Sequence, residues 1–166
     1  MTQVSRQIKI NARKEKVWEV LADFGGVSNW APTVVSAYST TEANGGVGAG
    51  RHCEVKSFGS IEERIAEWDE GRSYSYDIVD GVPAPMKYAR NTVSVRPDGD
   101  GTLVIFALEF EMKFGPVGAL LERLAIRPLL RKTLTGTLAG LKHHVETGEV
   151  IGEDTELPAS ALAAVA

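Results

Sequence analysis

The sequence predicts an α+β fold: a seven-stranded, strongly curved antiparallel sheet wrapped around a long C-terminal helix, with two short helices after the first strand. Short segments of alternating polarity, punctuated by glycine-, proline- and aspartate-rich turns, recur between residues 33 and 113. From Pro116 to Thr147 apolar residues return every three or four positions instead. No helix–strand repeat of the kind that builds a parallel sheet is present, and only the terminal helix is long enough to cover one face of so many antiparallel strands.

Gln3 to Ile10 sets Val4, Ile8 and Ile10 among polar residues and reads as the opening strand. Asn11 is placed to cap a helix from Ala12 to Ala22, in which Val17, Trp18 and Leu21 share a face. Gly25-Gly26 and Pro32 bracket one helical turn around Trp30. Strands are expected at Thr33–Thr41, then Arg51–Phe58 and Ile61–Asp69 joined at Gly59-Ser60, with glycines 45, 46, 48 and 50 forming the turn before them. Those glycines are not followed by the Lys-Ser/Thr pair or helix start of a phosphate loop. Ser73–Val79 points Tyr74, Tyr76 and Ile78 to one face, and Lys87–Arg96 and Thr102–Lys113 flank the turn Pro97–Gly101. In the last strand Val104, Phe106, Leu108, Phe110 and Met112 share the inner face, with Leu103 and Ile105 outward. The terminal helix carries Leu130, Leu134, Leu138, Leu141 and Val145 on its stripe, is interrupted or kinked by Pro128, and stops at Gly148. Residues 1–148 form one domain, and 149–166, without periodicity, are expected to be a flexible tail.

A chain of 166 residues with 43% hydrophobic residues buries one full core. Its net charge of -4 provides no global positive field for nucleic acid or for acidic membranes. No apolar run spans a bilayer and no secretion signal opens the chain, so stable membrane insertion is not expected and a cytoplasmic location is. Cys53, the one cysteine, allows neither an internal disulfide nor a thiolate zinc site. His143 and His144 point about 100° apart on the helix, a poor arrangement for joint metal ligation. No metal or cofactor is expected. Arg127, Arg131 and Lys132 form a basic turn, read first as a solvated face and second as a patch that touches membranes.

Several segments, in this order and spacing, resemble the START-like and Bet v 1-like superfamily (SRPBCC), which includes polyketide cyclase/dehydrase-like proteins. They are Val17–Phe24 leading to Trp30-Ala31-Pro32, Gly48-Ala49-Gly50-Arg51, Glu62-Glu63-Arg64-Ile65 with Trp68-Asp69, Pro97–Thr102, and Gly140-Leu141-Lys142. The resemblance implies a helix-grip fold enclosing an interior cavity for a hydrophobic small molecule: a lipid, a polyketide, or another aromatic or isoprenoid compound. Glu63 resembles in its setting a pocket-facing glutamate of the abscisic-acid receptors. Lys56–Ser60 lacks the gate-loop sequence of those receptors, so hormone signalling is not implied.

Strand alternation puts Glu63 inward if Ile61 and Ile65 are inward, with Arg51, a tyrosine, water or a ligand as its partner. The alternative is a register one residue away, with Glu63 solvated and Trp68 inside. Tyr74 and Tyr76 either grip a ring system or belong to the core, and Asn91 is either a polar anchor or satisfied by neighbouring backbone. Trp30 and Met86 fall where similar proteins close the mouth. With Phe106, Leu134 and Leu138 on the inward stripes, the candidate ligand-binding set is Trp30, Arg51, Glu63, Tyr74, Tyr76, Met86, Asn91, Phe106, Leu134 and Leu138.

Three functions are open at this level. One is a binding protein for a hydrophobic molecule. Another is a cofactor-free cyclase, aromatase or dehydratase with Glu63 as its acid or base, although no catalytic signature is present. The third is an interaction module with a filled core. The outward Leu103 and Ile105 leave monomer and homodimer both open.

Overall fold

The computed structural model describes residues 1–166. The chain runs β1 (Thr2–Ile10), α1 (Lys14–Ala22), a 3-10 helix (Phe24–Asn29), β2 (Val34–Ser39), β3 (Gly50–Val55), β4 (Gly59–Asp69), β5 (Ser73–Asp80), β6 (Met86–Asp98), β7 (Gly101–Met112), α2 (Gly115–Leu121), a π-helical turn (Glu122–Ile126), α3 (Arg127–Thr147) and α4 (Ala159–Ala163). The strands form one antiparallel sheet in the order β1-β7-β6-β5-β4-β3-β2. This is the helix-grip arrangement: consecutive hairpins from β2 to β7, with β1 closing against β7.

The periodicities that define the elements also define the core. Val4, Ile8 and Ile10 of β1, Val104, Phe106, Leu108 and Phe110 of β7, and Leu134, Leu138, Leu141 and Val145 of α3 join one buried cluster with Val17, Trp18 and Leu21 of α1. The second half of α3 is pinned to the end of β1 by polar contacts. Lys142 Nζ donates to the Lys9 carbonyl at 3.0 Å, and Glu146 Oε1 accepts the Asn11 N–H at 2.8 Å. Asn11 therefore does not cap α1, which starts at Lys14 with Arg13 at its N-cap and no side-chain cap.

The expected long helix runs from Gly115 to Thr147 as α2, a π-helical turn and α3, with helical backbone angles across both junctions. The expected interruption is that π-helical turn, which immediately precedes Pro128 in the first turn of α3. Two further expectations change, at the β3–β4 turn and in the C-terminal segment. The β3–β4 reversal uses Lys56-Ser57-Phe58, since β4 already pairs at Gly59 with Val55. Ser57 and Gly59 supply its positive φ angles.

Residues 149–166, expected to be flexible, lie against the body. The Ile151 N–H donates to Asn29 at 2.8 Å, and the Ile151 and Ala161 side chains are buried. At the terminus, Ala166 exchanges two backbone hydrogen bonds with Gln7 on the free edge of β1, both 2.8 Å. The last residues thus cover edge groups that would otherwise be open to strand addition. The outward Leu103 and Ile105 are half-buried and sit between Lys9 and Arg96, and Gln7 and Ser94, across the two neighbouring strands.

Glycine lets α3 approach the segment Trp30–Pro32 closely. A Cβ on Gly140 would stand 2.2 Å from the Trp30 carbonyl oxygen and 3.0 Å from Pro32 Cδ, whereas one on Gly136 would meet nothing nearer than Pro32 Cγ at 3.8 Å. Gly140→Ala should therefore lower unfolding free energy by about 1–3 kcal/mol in urea titration. Gly136→Ala should leave it unchanged or raise it by up to about 1 kcal/mol through helix propensity. Equal losses for the two variants would refute the close approach.

Candidate functional site

Between the concave face of β3–β7 and the first half of α3 lies a cavity of about 150 Å³. Sixteen of its 23 lining residues are hydrophobic, so its wall favours an apolar occupant. Val27, Trp30 and Ala31 close it from the side of the 3-10 helix, and Phe58 and Pro83 contribute from the β3–β4 and β5–β6 connections. From α3 come Leu130, Thr133, Leu134 and Thr137, one face at i, i+3, i+4 and i+7.

Glu63 faces inward and is 6% exposed. Its Oε2 accepts from Arg51 Nε at 2.5 Å, directly across the β3–β4 ladder where the two residues pair. Arg51 Nη1 donates to the Phe24 carbonyl at 2.8 Å, and the guanidinium carbon lies 3.9 Å from the Phe24 ring centroid and 4.8 Å from that of Tyr76. Burial opposes the guanidinium charge more than any one neighbour favours it, but Glu63, with smaller contributions from Tyr76, Cys53 and Tyr74, holds the Arg51 pKa above its ordinary value. Arg51 is thus a fixed cation, neutralised by Glu63 and packed between two rings.

Both alternatives for the β4 register are realised at once. The ladder to β5 slips between Ile65 and Glu67, so Ala66 is the extra residue of a bulge. Before it Ile61, Glu63 and Ile65 are inward. After it Glu67 turns outward to accept from Ser75, and Trp68 turns inward to stack on Tyr74 at 5.4 Å. Strict alternation, which would put Glu67 on the face of Glu63, fails at Ala66.

Of the expected ligand-binding residues, Trp30, Arg51, Glu63, Tyr76, Met86, Asn91, Phe106 and Leu134 line the cavity. Tyr74 and Leu138 do not. Tyr74 packs beneath α1, among Trp18, Phe24 and Trp68, with its hydroxyl donating to the Leu21 carbonyl at 3.1 Å. Leu138 is fully buried one helical turn beyond Leu134, where α3 meets the filled core. Tyr76 and Asn91 face each other across β5 and β6, and neither side chain hydrogen-bonds within the chain. Burial raises the Tyr76 pKa first, and Glu63 raises it further, so the phenol stays protonated. The Trp30 indole Nε1 is buried with no acceptor.

Sequence reasoning missed Cys53, Ala89, Leu108, Leu130, Thr133 and Thr137. Two signals were available: Cys53 shares the Arg51 face by strand period, and Thr133 and Thr137 interrupt the apolar stripe on the face they share with Leu130 and Leu134. The cavity holds no histidine, and no cluster of His, Cys, Asp and Glu in the chain is arranged to hold a metal. His52 lies on the outer face between Glu62 and Glu54, and the hydrogen bond to Glu62 raises its pKa most.

A family model described as polyketide cyclase / dehydrase and lipid transport matches residues 1–146, and the chain belongs to that family. Its fold is shared by XoxI of Bacillus cereus, at 20% identity and a TM-score of 0.70 over 89% of this chain and 97% of that one. TTHA0849 of Thermus thermophilus matches at 22% identity and a TM-score of 0.72, over 89% and 99% of the two chains. A START superfamily protein of Mycobacterium smegmatis matches at 18% and 0.70, over 87% and 97%. No curated protein matches the chain in sequence. The fold is one that binds hydrophobic ligands.

The buried pair dictates two outcomes. Glu63→Ala strands a buried guanidinium and should cost about 3–5 kcal/mol in urea unfolding, whereas Arg51→Met with Glu63→Leu should cost far less or nothing. Equal losses would show that the site is sensitive to volume and not to charge. Burial pushes the Cys53 thiol up to about 12, with Arg51 opposing and Glu63 reinforcing the shift. Native protein should therefore resist a thiol-specific disulfide reagent at pH 8 and react fully once unfolded, as read by absorbance.

Proposed function

We propose, from that family membership and the cavity, that the protein binds an uncharged, largely apolar small molecule carrying an oxygen function. One observation bears most of the weight: the apolar cavity is bordered by hydrogen-bonding groups that lack protein partners. The Tyr76 hydroxyl and the Asn91 amide stand side by side, and an unsatisfied buried donor such as Trp30 Nε1 costs about 1–3 kcal/mol. A carbonyl or hydroxyl oxygen on the ligand would serve these groups, while the aliphatic wall supplies most of the affinity.

Charge and size narrow the class. The one cation at the cavity, Arg51, already has Glu63, the Phe24 carbonyl and two aromatic rings around it, so a carboxylate or phosphate head has no free counter-charge there. A space of about 150 Å³ is that of a single aromatic ring, as in engineered apolar cavities that take benzene. A polyketide, isoprenoid or lipid chain would extend toward the connections that carry Phe58 and Pro83.

A cyclase or dehydratase reading rests on Glu63, the only carboxylate lining the cavity, whose Oε1 makes no hydrogen bond within the chain while Oε2 is held by Arg51. Such an enzyme would enolise a bound carbonyl compound by proton transfer to that oxygen.

Native mass spectrometry of protein from its own host should reveal a stoichiometric adduct absent from the denatured mass. Ala89→Leu, which extends a buried wall residue into the cavity, should weaken binding of that compound at least about tenfold, or 1.4 kcal/mol. A clean apo mass, together with binding of the uncharged fluorescent dye Nile red that Ala89→Leu leaves unchanged, would sink the reading. If the compound is converted, Glu63→Gln should abolish turnover while retaining binding; unaltered turnover would exclude the catalytic role.

A further inference from the structure

We propose that α2, the π-helical turn and the first turn of α3 form a docking surface for anionic lipid bilayers. This inference does not depend on what the cavity binds.

The polarity of α2 is inverted. Val117, Leu120, Leu121 and Leu124 recur at i, i+3, i+4 and i+7, the spacing of a core stripe, yet they are 74%, 60%, 42% and 69% exposed. The helix instead turns Gly118 toward the body, where an added Cβ would stand 2.1 Å from the Lys113 carbonyl oxygen. Phe114 at one end is 71% exposed and Leu129 at the other 43%. Exposed apolar residues scattered singly need no explanation, but a continuous stripe of large ones on one helical face marks an interaction surface.

Charge selects the partner. Residues 113–132 contain Lys113, Arg123, Arg127, Arg131 and Lys132 against a single acid, Glu122, although the whole chain is at -4. Glu122 is consumed by Arg127 and the Thr2 hydroxyl, leaving the other four cations without an ion pair. A second copy placed symmetrically on this face would oppose cation to cation. An anionic bilayer offers both halves of the complement, acyl chains for the leucine stripe and headgroup charge for the cations. No helix of the chain is long and apolar enough to cross a membrane, so the segment would lie in the interface plane. The docked face adjoins the cavity, since exposed Leu129 is followed by Leu130, which lines it.

The test uses the full chain with phosphatidylcholine vesicles and with equimolar phosphatidylcholine–phosphatidylglycerol vesicles, in flotation at low ionic strength. Binding should be restricted to the anionic vesicles and should fall as salt is raised. Arg123→Gln, Arg131→Gln and Lys132→Gln combined should weaken it roughly a hundredfold, at about fivefold per cation. Leu120→Ser with Leu124→Ser should also abolish flotation, and circular dichroism should show both variants folded because every altered side chain is exposed. Absence of flotation with anionic vesicles, or flotation indifferent to both variants, overturns the proposal. So does a stable dimer in sedimentation equilibrium that Leu120→Ser with Leu124→Ser dissolves, which would assign the face to a second copy.

Discussion

A curved sheet needs its concave face filled, and α3 fills only part of it. Leu138, Leu141 and Val145 meet the sheet as a packed interior, with Gly140 letting the helix settle on the Trp30 carbonyl. One and two turns earlier the same helix presents Thr133, Leu134 and Thr137 opposite Ala89 and Asn91, and a void remains. The cavity therefore follows from where α3 is anchored and from small or polar residues at its unanchored half. It is bounded by groups that a filled core would not retain, which separates this interior from that of an interaction module.

The buried ion pair depends on the same curvature. Arg51 and Glu63 pair across adjacent strands on the concave face, and taking both from water is costly unless the remaining donors are met. The Phe24 carbonyl, delivered by the 3-10 helix, meets one of them. Phe24 and Tyr76 cover the guanidinium, so the pair ties the short helix to three strands. The fixed charge cancels within the wall, leaving Tyr76, Asn91 and Trp30 as neutral hydrogen-bonding groups at the cavity.

Much of this was legible locally. Alternation located all seven strands to within a few residues, and the three-to-four spacing located the long helix and the interruption at Pro128. Glu63 was legible as inward because it shares a two-residue period with Ile61 and Ile65. Trp68 was not legible together with Glu63, since a bulge at Ala66 is set by pairing with β5 and leaves no mark in either strand's own pattern. Tyr74 and Tyr76 are indistinguishable by period; one lies beneath α1 and the other borders the void only because the helices cover the sheet unevenly. The tail carries no periodicity because its contacts are scattered, with backbone hydrogen bonds at Asn29 and Gln7 and isolated buried side chains at Ile151 and Ala161.

The sequence by itself determined the element order, the inward set of each strand as far as the β4 bulge at Ala66, the lack of disulfide chemistry and the concentration of cations near the start of α3, because each depends on residue type and spacing along one chain. The tertiary structure decided which inward residues face protein and which face the cavity, that Glu63 is neutralised by Arg51, and that the stripe of α2 is left uncovered. Those outcomes depend on distances between segments far apart in sequence, and such distances exist only once the sheet has curved around the helix.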